Sequence, residues 1–416
     1  MSLHAGSTGS PAWSGLRYLM AALLLVLPAA GQKPATDQFT PVIVSPLTGS
    51  ARPFPGTDGK YHLVYELLVT NTKPTPATLK KVEVLDARGQ GVQSTPVVAS
   101  YEGDSLVSRL RTLANTPVKS PEIEFGGTRL FLIDLTFDSK AQVPGRLQHV
   151  FELTGAPGPA PTPMTPAALR YTVAPLEVNP QLPEIGPPLA GKRWVVTNGC
   201  CEAGGAHRAT SLAANGWIYY GQRFAIDWMR LDDAGRFVHG DPADVHNYTC
   251  YGVDILAVAD GTVVQVLDAL GDQPPGKLPD PNTITIKNVL GNHVILDLGN
   301  GVYAFYAHME KGSIRVVEGQ HVKRGDVLGK LGNSGNTSAP HLHFHLMEGP
   351  SALASNGMPY VIDSFALAGT IPAKKFAAAP SIEGTWGDGL FPSPSPRHGE
   401  FPLDLDVIDF PETPGK

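Results

Sequence analysis

The sequence predicts an all-β chain built in two parts, and three observations carry that reading. No window in the second part sustains an apolar period of 3.6 residues. Short alternating apolar runs recur throughout, bounded by Pro, Gly and Asn. The segment Ala339-Pro340-His341-Leu342-His343-Phe344-His345-Leu346 alternates strictly, with histidine at every second place.

At the N-terminus, Arg17 precedes an apolar run over 18–27 that is too short to span a bilayer, and Ala29-Ala30-Gly31 offers small residues for a signal peptidase. Residues 1–31 are therefore expected to be a secretory signal, with an uncleaved anchor as the alternative. The mature chain is expected to be secreted or periplasmic. No later run approaches the roughly twenty apolar residues a membrane helix needs, so no membrane span is expected after signal cleavage.

Residues 61–71, 79–86, 129–137 and 147–153 alternate loosely between Pro-rich turns. Short strands at this spacing indicate an immunoglobulin-like β-sandwich over 38–178. The stretch Gly155-Ala156-Pro157-Gly158-Pro159-Ala160-Pro161-Thr162-Pro163 reads either as a linker or as a loop at the sandwich edge. The boundary to the second part is expected near Pro187-Pro188.

The second part, over 190–370, holds the chemistry. Successive side chains of a strand face opposite ways, so His341, His343 and His345 share one face while Leu342, Phe344 and Leu346 face a core. Imidazole is the commonest neutral metal ligand near neutral pH, so the row suggests a metal site. Upstream, Gln222-Arg223-Phe224-Ala225-Ile226-Asp227 puts a carboxylate after a short apolar stretch, and Tyr303-Ala304-Phe305-Tyr306-Ala307-His308 ends an aromatic strand in histidine. Asp260-Gly261, between two β-branched runs, predicts a hairpin turn, and glycines at 325, 332 and 335 mark further turns.

Taken in order, these segments resemble the lysostaphin-type zinc metallopeptidases, which cut peptide cross-links in bacterial cell walls. The resemblance spans roughly residues 217–350 and is carried by the ordered set Asp227, His308, His341 and His343. It implies a lysostaphin-type antiparallel β-sheet peptidase domain, related in architecture to the barrel-sandwich hybrid of biotinyl and lipoyl carriers. It also implies Zn2+ as cofactor, peptidoglycan or another peptide as substrate, and metal-assisted amide hydrolysis. A catalytic zinc takes three protein ligands and keeps one position open; the family pattern supplies two of them here, Asp227 and His343. His308 and His341 take the catalytic places, as general base and as donors to a developing oxyanion.

One position departs from the pattern. Four residues before Asp227 the family has a ligating histidine, and this chain has Arg223, which stays protonated and cannot bind a cation. His207, in Gly204-Gly205-Ala206-His207-Arg208, is one replacement. A secreted branch of the family with an Asn-Gly-Cys-Cys segment, a His-Arg pair and Gln-Arg-Phe-Ala-x-Asp resembles this arrangement. His345 is a second replacement. With neither, Arg223 would pair with Asp227 and the chain would be an inactive binding module that regulates wall hydrolases. A biotinyl or lipoyl carrier role lacks its modifiable-lysine motif.

Three cysteines allow one bridge within the chain and leave at least one unpaired. A bridge from Cys200 or Cys201 to Cys250 would pin the His207 loop; binding of zinc by the cysteines themselves is the competing idea. His239, His246 and His293 read as solvated, while Asn292 and Tyr306 are placed at the groove. The Pro-rich acidic end over 380–416 is expected as a tail that wraps the surface or remains disordered. The chain of 416 residues is 42% apolar and carries a net charge of -6, which argues against nucleic acid. The sandwich, without a catalytic constellation of its own, is expected to position the second part or to touch a protein partner or wall polymer.

Overall fold

The strand Tyr61–Asn71 shows how the first part is built. Its Leu63, Tyr65, Leu67 and Val69 enter a core shared with Val82, Val84, Phe131, Phe151 and Tyr171. Its intervening Val64 and Leu68 join apolar clusters on the opposite side. A sheet buried on both faces loses the clean apolar–polar alternation of a half-solvated one, which is why this run alternates only loosely.

The structure is a computed structural model and describes residues 37–88, 95–159, 164–378 and 382–412. The expected signal over 1–31 lies outside the described residues. One sheet of the sandwich runs Val42–Pro46, Tyr61–Asn71, Thr128–Phe137, Leu110–Arg111. The other runs Ser50–Ala51, Ala167–Val178, Arg146–Gly155, Ala77–Asp86, Val97–Glu102. Gly155 pairs with Ala167 in an antiparallel ladder, so the strands on either side of the Pro-rich stretch, of which residues 160–163 lie outside the described residues, are neighbours in this sheet.

A second, larger sheet forms the rest. Its order is His321–Val322, Gly261–Leu267, Asn292–Asp297, Tyr303–Met309, Leu342–Met347, Ile226–Arg230, Trp194–Thr197, Asp406–Asp409, Phe365–Thr370, Leu390–Arg397, each neighbour antiparallel. The all-β reading therefore holds. As parity requires, Leu342, Phe344 and Leu346 are fully buried in its core. No helix among the described residues is long and apolar enough to cross a membrane.

Two local expectations change. Asp260-Gly261 does not close a hairpin: Asp254–Leu256 pairs with Val327–Lys330, whereas Gly261–Leu267 pairs with Asn292–Asp297. The turn passes the chain between two sheets, a choice that pairing partners make and turn residues do not. The acidic end is no loose tail either, because Val407, Ile408 and Phe410 sit in the main core and Asp406–Asp409 is an inner strand. Burial of that short apolar run outweighs the proline and acidic composition around it.

Candidate metal centre

Strand register brings the first residues together. Asp227 lies opposite His343, and His343 lies opposite Ala307 on its other side, so His308 follows one step along the neighbouring strand Tyr303–Met309. His308 has a left-handed backbone, φ 63°, a conformation that costs about 1–3 kcal/mol and is characteristic of functional sites. Its Nδ1 donates to the Ser334 carbonyl at 2.7 Å. That carbonyl can approach because Gly291 has no side chain: a Cβ there would lie 2.1 Å from Ser334 O.

Asp227 is the hub. Oδ1 faces His343 Nδ1 at 2.8 Å and His341 Nε2 at 3.3 Å. Oδ2 faces His207 Nε2 at 3.3 Å and accepts from Asn198 Nδ2 at 2.8 Å. The structure thus brings His207, Asp227, His308, His341 and His343 into one cluster and leaves Arg223 out of it. Two sets have their ligand atoms within 4.8 Å of one another: His207, Asp227, His343 and His308, His341, His343.

Ring partners set the tautomers. His207 Nδ1 meets the Ala225 carbonyl at 3.1 Å, and His341 Nδ1 meets the Ala339 carbonyl at 2.7 Å. A carbonyl only accepts, so these Nδ1 atoms carry protons and the Nε2 lone pairs point inward. His343 is turned the other way, with Nε2 against His345 Nδ1 at 3.1 Å. His345 is buried behind His343, and its Nε2 has no hydrogen-bond partner among the described residues.

These lone pairs and a carboxylate repel one another unless a cation or protons lie between them. The donor set of two imidazoles and one carboxylate suits zinc, whose bond lengths place ligand atoms roughly 3.3 Å apart in a tetrahedron. The residues therefore fit the ion. Protons compete for the same place. Burial disfavours the imidazolium of His207 and of His341, yet the Asp227 carboxylate outweighs it and raises both. Burial likewise pushes the Asp227 carboxyl up, but His207 and His341 hold it well below the usual carboxylate range. His308 goes the opposite way: burial, then its neighbours His341 and His343, lower it well below the ordinary histidine value.

Residues 245–355 match peptidase family M23. Over that segment the chain is similar to the M23 peptidases. The matched segment contains His308, His341 and His343, whereas Asp227 and His207 precede it. The chain is 42% identical over 57 residues to peptidoglycan DD-endopeptidase ShyA of Vibrio cholerae, covering 14% of this chain and 13% of that protein. It is 29% identical over 140 residues to lysostaphin of Staphylococcus simulans, covering 33% of this chain and 26% of that protein. The chain thus covers only 13% and 26% of the length of these two curated relatives. The catalytic domain of lysostaphin from Staphylococcus simulans matches with a TM-score of 0.22 and 20% identity, covering 40% of this chain and 88% of the domain.

Several sequence expectations around this cluster are corrected. Arg223 does not pair with Asp227; its Nε donates to Glu66 Oε1 at 2.9 Å and its Nη1 to the Gly357 carbonyl at 3.2 Å. Cys200 and Cys201 are bonded to each other, and Cys250 is free and buried. Burial pushes the Cys250 thiol up to about 12, and its Sγ lies 3.1 Å from the Pro340 carbonyl. No thiolate therefore reaches the centre. His293 is buried with its ring against Phe305. Asn292 and Tyr306 are also buried and brace backbone: Asn292 Oδ1 accepts from Ala269 and Leu270, and Tyr306 Oη from Val258 N at 2.9 Å.

Sequence reasoning missed Asn198, Asp404 and Glu66. Asn198 takes φ 56°, a region asparagine tolerates, and the Asn-Gly-Cys-Cys segment was its one signal. Asp404 Oδ1 accepts from Gly199 N at 2.8 Å. Neither Asp404 nor Glu66 carries any mark in its own sequence neighbourhood.

Proposed function

We propose that the chain is an exported zinc-dependent endopeptidase that hydrolyses peptide cross-links of bacterial peptidoglycan. The observation that carries this reading is the convergence of His207 and His343 on Asp227, which supports a three-ligand set that does not need a histidine at 223. The M23 match and the printed activities of ShyA and lysostaphin support the substrate class.

When bound, zinc supplies Lewis acidity toward water and toward the scissile carbonyl. His207 Nε2, His343 Nδ1 and an oxygen of Asp227 would hold it. His308, kept neutral by burial and locked with its Nδ1 proton on Ser334, accepts a proton from water at Nε2 and returns it to the leaving amine. His341, with Nδ1 against the Ala339 carbonyl at 2.7 Å, turns Nε2 toward the same place and, when protonated there, donates to the oxygen that gains charge. The two rings lie 4.8 Å apart between centres, close enough to act on the same substrate carbonyl.

The inactive binding-module reading draws on Arg223 alone, and that side chain is committed to Glu66. Zinc per chain, measured by elemental mass spectrometry on the exported protein, is expected to be about one. Digestion of muropeptides followed by mass spectrometry is expected to show cleaved cross-links. A zinc-loaded chain that leaves every muropeptide intact would sink the enzyme reading.

A further inference from the structure

We infer that Glu66, a residue of the sandwich, is a positioning residue for the metal centre through Arg208 and the loop that presents His207. The inference rests on the reading of His207 as a ligand.

Glu66 is fully buried, and both of its oxygens are taken by arginines of the peptidase part: Arg208 Nη1 and Arg223 Nη2 each pair with it, with Arg223 Nε at 2.9 Å. Arg208 is also fully buried. Its Nη2 donates to the carbonyls of Tyr65 at 3.0 Å and Ile133 at 3.1 Å, which belong to residues paired across two adjacent sandwich strands. One guanidinium is therefore fastened to the sandwich at three acceptors. The Tyr220 ring lies 5.9 Å from Arg208 and 5.7 Å from Arg223.

Arg208 is the next residue after His207. Residues 198–211 contain no strand, so no ladder register places His207 against Asp227. His207 itself is held by the Ala225 contact on one side and the buried guanidinium of its neighbour on the other, while the ends of the loop are tied at Gly199 to Asp404, at Ala203 to Arg111 and at Ser211 to Asn115. A buried guanidinium keeps its charge, so without Glu66 two uncompensated cations would sit between sandwich and peptidase, and the loop would move to hydrate them.

The same cluster gives Arg223 a purpose. Where the family pattern has a ligating histidine, this chain has an arginine that holds Glu66, which holds Arg208, which sets His207. The lost ligand at 223 and the new one at 207 form one arrangement, completed by the sandwich.

The test uses the full exported chain. Zinc affinity is read by chelator competition, coordination by the visible spectrum of the Co2+-substituted protein, and folding by thermal midpoint. Glu66→Gln is expected to weaken zinc about ten- to a hundredfold, the usual effect of removing an outer-shell partner, and to change the Co2+ spectrum. A triple variant, Glu66→Leu with Arg208→Met and Arg223→Met, exchanges the buried charges for apolar groups and is expected to keep the thermal midpoint while binding zinc as weakly as Glu66→Gln. Parental affinity and an unchanged Co2+ spectrum in either folded variant overturn the positioning role. His207→Ala is run in parallel: weakened zinc there with parental zinc in Glu66→Gln overturns positioning alone. Parental zinc in His207→Ala, or no zinc in the parent, overturns the ligand reading and the inference with it.

Discussion

His343 and His207 reach the same carboxylate from two kinds of structure. His343 sits on the strand Leu342–Met347, and its place opposite Asp227 follows from ladder register. His207 sits in a strandless loop held by Arg208, by the Ala225 carbonyl and, upstream at Gly199, by Asp404. Both depend on residues far apart in sequence, 116 positions for His343 and Asp227 and 142 for Arg208 and Glu66, but the first is fixed by strand register and the second by compensation of buried charge. One half of the centre is thus a property of the peptidase sheet, and the other half a property of how the sheet and the sandwich pack together.

The comparison breaks or sharpens under substitution. The largest effect is expected from the proposed ligands: His343→Ala and His207→Ala should each lower zinc affinity at least about a hundredfold, beyond what outer-shell changes do. Elemental analysis of the two proteins checks this, and zinc retained only in His207→Ala would make the loop half no part of the centre. His308→Ala should keep its zinc and lower the hydrolytic rate by about a hundredfold or more, read from muropeptides released over time; a normal rate would remove His308 from the proton path.

The sandwich should show its own pH limit. Burial pushes His149 down to about 4, and its ring lies between Tyr65 Oη at 2.8 Å and the Ala174 carbonyl at 2.7 Å. Its folded pKa lies below the ordinary 6.5, so the folded chain binds fewer protons than the unfolded one. Stability is then full above about pH 6.5 and falls by about 3 kcal/mol as pH drops toward 4. Denaturant melts across that range should lose this slope in His149→Gln. Because Tyr65 also offers its carbonyl to Arg208, zinc affinity should weaken along with the sandwich.

A smaller effect tests the strand half. Gly291→Ala places a Cβ against Ser334 O at a backbone φ of 68°, which should destabilise the chain by about 1–3 kcal/mol and slow hydrolysis by displacing the carbonyl that holds His308. Chemical denaturation beside zinc analysis separates the outcomes, since the metal should stay; zinc lost with Gly291→Ala would mean that the Ser334 loop also supports the ligands.

The sequence by itself determined the β class, the row His341, His343, His345, and the order Asp227, His308, His341, His343. Period-2 alternation and short motifs are local, and strand geometry converts them directly into faces. It also marked Arg223 as a departure and His207 as one replacement, without deciding between His207 and His345. Tertiary structure decided that choice of neighbours, because His345 falls behind His343 while Arg208 draws the His207 loop onto the sandwich. It alone paired Cys200 with Cys201, turned the acidic end into an inner strand and brought Glu66 to two arginines. Burial and charge compensation are summed over residues far apart in the chain, so no local pattern at Glu66 or Asp404 announces them.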